Sequence, residues 1–202
     1  NNEKLARKSQ FENVFFNMTS TFEEIVSHLV YKEPVKDMAN PLIQSSLYQS
    51  NEVTTATIPK TEKIYQGRQI FRYLYLEKFV TGGNGQVVRG IKGLVETSPG
   101  ISMNDIRENF FDGTLDHYFR YAYRIMKYIK TSKLIDDDER EGYASIFRAQ
   151  LSCFELWILF FNCLGMDENK FKHLVEDYHL FNNIRKEYFP DIALYNTLYL
   201  DK

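Results

Sequence analysis

Asp138-Glu139-Arg140-Glu141-Gly142-Tyr143-Ala144-Ser145-Ile146-Phe147-Arg148-Ala149-Gln150-Leu151-Ser152-Cys153-Phe154-Glu155-Leu156-Trp157-Ile158-Leu159-Phe160-Phe161-Asn162-Cys163-Leu164 is the stretch on which the fold depends. At about 100° per residue its apolar side chains, from Ile146 and Phe147 through Trp157 to Leu164, cover most of a helical circumference. A helix apolar nearly all round belongs inside a protein, so a long central buried helix is expected over about 138–164. Asp136, Asp137 and Asp138 stand where acidic residues favour a helix start, and Gly165 where glycine ends one. Within the apolar surround, Arg148, Ser152, Glu155 and Asn162 fall in one sector about 80° wide. Buried charge is costly unless paired, so Arg148 and Glu155 require partners.

The segments on either side are also helical in pattern. Thr114 to about Thr131 carries an apolar face of Leu115, Phe119, Ala122, Ile125, Met126 and Ile129, with His117, Arg120, Arg124 and Tyr128 opposite. If that polar side meets the sector on the long helix, Glu155 pairs with Arg120 or Arg124. Asp167 is placed to cap a helix running to about His179, and a short helical stretch is expected over Phe181 to Tyr188. Near the start, Phe11, Phe15, Met18, Phe22, Ile25 and Leu29 recur at helical steps. A second helix is expected from about Tyr65 to Phe79, ahead of Gly82-Gly83-Asn84-Gly85, and a short one from Ser102 or Asn104 to near Phe110, before the Asp112-Gly113 break. Nothing alternates convincingly as strand. The expected class is all-α: a single multi-helix domain over 1–202, with an aperiodic excursion at about 31–63 that is flexible or orders on a partner.

Composition narrows the functional classes. The chain has 202 residues, 44% of them hydrophobic, including sixteen Phe and fourteen Tyr, which excludes a disordered chain. At this size roughly 70% of the unfolded surface is buried on folding, so no metal or disulfide is needed for a core. The formal charge of −2 gives no broad basic field for nucleic acid and no polybasic membrane patch, while leaving room for a local basic face. Cys153 and Cys163 lie ten positions apart in one helical pattern. That is about 15 Å of rise against the roughly 7 Å a disulfide spans, so both are expected reduced, as suits a cytoplasmic protein. Two cysteines at this spacing with four scattered histidines build no zinc site, and no metal or cofactor is expected. The longest apolar run, Leu156 to Phe161, is too short to cross a bilayer. The chain opens Asn1-Asn2-Glu3-Lys4, which is read as the trimmed start of a longer parent.

No catalytic motif is complete by spacing. Gly85 to Lys92 approaches a phosphate-binding loop but has one residue too many before the Lys, and Gly93 where Ser or Thr should hold magnesium. No Ser sits in a G-x-S-x-G turn. No Arg stands four to six residues ahead of a His on one helix, as helical abortive-infection ribonucleases arrange them. The remaining candidate is a polar cleft of His117, Arg120, Arg124, Arg148, Ser152, Glu155 and Asn162, able to bind an anion or support acid–base chemistry. Set against it is a structural network that fixes helix register, and the sequence leaves both open.

Several of these segments together resemble the phage abortive infection (AbiC-like) family of bacteria. The resemblance runs through Phe11-Glu12-Asn13-Val14-Phe15-Phe16, Gly67-Arg68-Gln69-Ile70-Phe71 and Leu115-Asp116-His117-Tyr118-Phe119-Arg120-Tyr121 with Tyr128-Ile129. It continues in Tyr143, Arg148-Ala149-Gln150-Leu151-Ser152, Glu155-Leu156, Asn162 and Tyr178-His179-Leu180-Phe181-Asn182-Asn183. It implies a role in stopping phage propagation and a parent protein tethered to the inner face of the cell membrane by segments ahead of this region. It brings no established catalytic residues. Two functions then stand open: a cytoplasmic sensor or effector that binds a phage or host protein or a ligand, or a divergent helical nuclease acting on RNA through the His/Arg/Glu cleft. Direct membrane contact by this region is not expected, and a homo-oligomer through the aromatic first helix is a further option.

Overall fold

The structure is a computed structural model that describes residues 2–32, 62–76, 113–164 and 170–184. Its elements are α1 (Asn2–His28), β1 (Val30–Lys32), β2 (Ile64–Gln66), α2 (Gln69–Tyr73), α3 (Asp116–Thr131), α4 (Asp137–Gln150), α5 (Cys153–Leu164) and α6 (Lys170–Asp177). The all-α class holds, with one small addition: β1 and β2 pair antiparallel, Tyr31 opposite Tyr65. Three-residue strands are too short to show alternation, which is why none is visible in the sequence. Such a ladder is marginal alone; Tyr73 of α2 lies over it, its ring 4.0 Å from Tyr65 and 5.3 Å from Tyr31. The ladder joins the two ends of the expected excursion, whose residues 33–61 lie outside the described ones.

Aromatic packing sets the helix arrangement. Phe11 of α1 stacks on Tyr128 of α3 at 4.9 Å and meets Tyr143 of α4 edge-on at 4.6 Å. Eleven residues on, Phe22 packs against Tyr118 and Phe147. Chain numbers thus rise along α1 as they fall along α3 and rise along α4, so α1 runs antiparallel to α3 and parallel to α4. The buried stripe of α1 is Phe11, Phe15, Thr19, Phe22 and Val26. Met18 and Ile25, expected on that stripe, are only partly buried, with Thr19 and Val26 at its centre instead. Lys4 and Lys8 reach Asp136 and Glu139 at 2.6 Å, pinning α1 to the start of α4. Asp136 and Glu139 form a capping box there, with Glu139 Oε2 accepting the Asp136 N–H at 3.2 Å. Arg140 donates to the carbonyls of Ile129 and Ser132, which closes the C-terminal end of α3.

Two expected boundaries change. The stretch 138–164 is two helices, α4 and α5, because Leu151 is extended at φ −85° and ψ 127°. Ser152 caps the second: its Oγ accepts the Glu155 N–H at 3.3 Å, while Glu155 Oε2 accepts the Ser152 N–H at 2.9 Å. The buried central helix is therefore α5, where every residue from Glu155 to Phe160 is buried. The second expected helix begins at Gln69 rather than Tyr65, since Ile64 to Gln66 is strand and Gly67, at φ +56°, makes the turn between them. After α6 the chain forms turns over 178–183, so the start of the short helix expected over Phe181 to Tyr188 is turn, and its residues 185–188 lie outside the described ones. The expected helix over 102–110, the Gly82–Gly93 loop and the Gly165 and Asp167 helix-end signals lie outside the described residues. No described helix is long and apolar enough to cross a membrane.

Candidate functional site

The seven polar residues expected to share one cleft occupy separate places. On α3 the helical period buries Tyr118, Phe119, Ala122, Ile125, Met126 and Ile129 and turns His117, Arg120 and Arg124 outward. These three and the half-buried Tyr121 line a depression of about 400 Å³. Arg120 Nε donates to the backbone carbonyl of Asp116, one turn back. Neither Arg120 nor Arg124 has a carboxylate partner among the described residues.

Glu155 does not meet them. Its side chain is 0% exposed, and its Oε2 accepts from Arg68 Nε at 3.1 Å. Arg68 belongs to the turn between β2 and α2, and its Nη2 also donates to Glu23 of α1 at 2.7 Å and to the Gln150 carbonyl at 3.1 Å. One guanidinium, 41% exposed, thus ties α1, the Gly67 turn, the end of α4 and the start of α5. The expected pairing of Glu155 with Arg120 or Arg124 does not form because both arginines point outward from α3 while Glu155 is buried in the core. Burial pushes the Glu155 carboxyl up, against the opposing pull of the Ser152 hydrogen bonds and of Arg68. Its Oε1 and the buried Tyr118 hydroxyl lack hydrogen-bond partners among the described residues. Burial, then the nearby Glu155 charge, raises the Tyr118 phenol well above its usual range.

Arg148 forms a third place. Its Nη1 donates to the carbonyls of Tyr178 and His179 at 3.3 and 2.9 Å, and its Nη2 to Ser145 Oγ at 3.2 Å. These carbonyls belong to the C-terminal cap of α6, in which Leu180 N–H bonds to Val175 O and His179 N–H to Glu176 O. His179 takes the left-handed position of that cap at φ 47°. Asn162 lies on α5, seven residues beyond Glu155, and is partly buried. Sequence reasoning passed over Arg68 and Glu23, since nothing in local spacing reveals that Arg68 meets Glu155, 87 residues on, and Glu23, 45 residues back. Among the described residues no group of three or more His, Cys, Asp or Glu is placed to hold a metal ion.

Arg148, Ser152, Glu155 and the 178–180 cap are thus bound into the frame, while the α3 stripe faces outward. Residues 112–189 match the family model described as putative phage abortive infection protein. The match covers α3 to α6 and agrees with the resemblance read from the sequence over that part. The segments of α1 and of the Gly67 turn that share the resemblance lie outside it. No curated protein and no solved structure gives a significant match.

Proposed function

We propose that this chain is the cytoplasmic part of a bacterial phage-defence protein, tethered to the membrane through its parent, that acts as sensor or effector by binding rather than by chemistry of its own. The family match carries the defence role. The separation of Glu155 from His117, Arg120 and Arg124 favours binding over the nuclease reading. A cleft for acid–base cleavage needs its acid and base within reach of one scissile bond. Here the carboxylate is buried against Arg68 while the basic stripe stands on the other side of α3. What remains outward-facing is a surface suited to a partner.

Phage plating on cells expressing the intact gene tests this. Arg120→Ala with Arg124→Ala should abolish protection while leaving the melting temperature within a degree or two, since exposed substitutions of this kind rarely exceed ~0.5 kcal/mol. Protection retained in a stable double variant removes the stripe from the function. Degradation of cellular RNA by the pure wild-type chain would replace the binding reading with the enzymatic one.

A further inference from the structure

The outward stripe of α3 is longer than the depression at its start. His117, Arg120, Arg124 and Lys127 follow one another at steps of three, four and three, all exposed, over about 15 Å of helix. Elsewhere Arg68, Arg140 and Arg148 are committed to carboxylates or to carbonyls of other elements. Arg120 and Arg124 have no such partner among the described residues: Arg120 bonds only the Asp116 carbonyl of its own helix, and Asp116 is the one acidic residue of α3. Lys130, the other exposed cation of the helix, is by contrast neutralised by Asp177. In a chain of formal charge −2, this is a local segregation of positive charge, the footprint expected of an anionic partner.

The aromatic residues narrow the partner. Tyr121 lies in the depression between the guanidinium-bearing positions, with His117 edge-on to its ring at 6.3 Å. Further along, Lys127 Nζ stands 5.7 Å from the centre of the Tyr123 ring. Planar guanidinium groups match phosphate oxygens in pairs, and tyrosine faces offer stacking surfaces for bases. An acidic peptide would satisfy the cations but would make no use of an aromatic plane set among them. From this arrangement we infer that the His117–Lys127 face of α3 binds single-stranded nucleic acid, phosphates on Arg120, Arg124 and Lys127 and a base against Tyr121. The inference deepens the binding reading above and rests on it.

Fluorescence anisotropy of the 202-residue chain with labelled twelve-nucleotide oligouridine and oligothymidine tests it. Binding is expected at 50 mM salt, weakening about 20-fold by 200 mM if about three phosphates are neutralised. Arg120→Gln with Arg124→Gln should weaken binding at least tenfold and flatten the salt dependence. Tyr121→Leu should weaken it about tenfold and leave the salt slope unchanged. Binding of the uridine strand alone assigns the site to RNA, and binding of both assigns it to single strands in general. No binding of either strand at 50 mM salt, or equal binding by the double variant, overturns the inference. If neither strand binds while the arginine variants still lose phage protection, the stripe serves an acidic protein surface. Nucleic acid is then excluded and the binding reading above survives.

Discussion

At Glu155 the carboxyl is wholly buried, while its partner Arg68 remains open to water on one side. The two removals should therefore differ. Loss of Arg68 strands a buried carboxylate and should cost roughly 2–3 kcal/mol, less than the roughly 3–5 kcal/mol of a fully buried pair because Arg68 is itself part-exposed. Glu155→Gln keeps the shape and the acceptor for the Ser152 N–H, and should cost less. It also isolates the titration. A carboxyl raised by burial contributes its full stability below the unfolded value of 4.5 and loses it as pH climbs through the folded value. The melting temperature of wild type relative to Glu155→Gln should therefore fall as pH rises above 4.5, and a flat difference from pH 4 to 8 would show that burial leaves the carboxyl unshifted. The Lys4–Asp136 and Lys8–Glu139 pairs act in the opposite sense, since both carboxyls are lowered chiefly by their lysine hydrogen bonds and lose their contribution as pH falls. His179 supplies a second test at this scale. A side chain at φ 47° is strained, so His179→Gly should raise stability by ~1 kcal/mol in urea melts. A loss instead would mean that the imidazole itself holds the cap. That Glu155 and Arg148 needed partners was legible from their place in an apolar helix, but the partners themselves were not. Arg68 and the 178–179 carbonyls arrive by tertiary packing, which leaves no trace in periodicity.

Among the elements, the break between α4 and α5 shows how a local signal can be hidden by a stronger one. Ser152-Cys153-Phe154-Glu155 has the S-x-x-E form of a capping box, and it precedes an apolar run. Apolar residues recur at helical spacing on both sides of it, so the 3.6-residue pattern reads straight across. Only Leu151 and Ser152 separate the two helices. The cap is what keeps them apart, and Ser152→Ala should destabilise the chain by ~1 kcal/mol, measured by urea melts, more than the same change at the exposed Ser27. Equal effects at the two sites would mean that packing around Trp157, not the cap, fixes the start of α5. The strands were hidden for a different reason. Val30-Tyr31-Lys32 and Ile64-Tyr65-Gln66 share one pattern, a β-branched residue, a tyrosine and a long polar side chain. Three residues cannot establish a period, and it takes Tyr73 lying over both tyrosines to make the pairing worth forming.

Across the whole molecule, the family match and the packing unit have different extents. The all-α class was legible because α1, α3 and α5 each carry an unbroken apolar signal; how they share a core was not, since that depends on which aromatic ring meets which. The matched segment, 112–189, includes Tyr118, Tyr128, Tyr143 and Phe147, and these are covered by Phe11, Phe15 and Phe22 of α1. Tyr118 is also covered by Phe71 of α2, and Trp157 meets Tyr75 edge-on at 4.8 Å. Phe11, Phe15, Phe22 and Phe71 are fully buried, and burying each such ring is worth roughly 1.5–3 kcal/mol, so together they contribute about 6–12 kcal/mol, comparable with the whole net stability of about 5–15 kcal/mol of a typical domain. Residues 112–189 alone should consequently lack a fixed core. Expressed by themselves they should keep much of their helical circular dichroism, bind a hydrophobic dye and melt over a broad range, while the 202-residue chain unfolds in one sharp urea transition. A sharp transition from the short piece would make 112–189 a domain in its own right and reduce α1 to an appended helix. With the expected outcome, α1 and the Gly67 turn are required parts of the unit that presents the α3 stripe, and Arg68, reaching from that turn to Glu23 and Glu155, is the side chain that joins them to it.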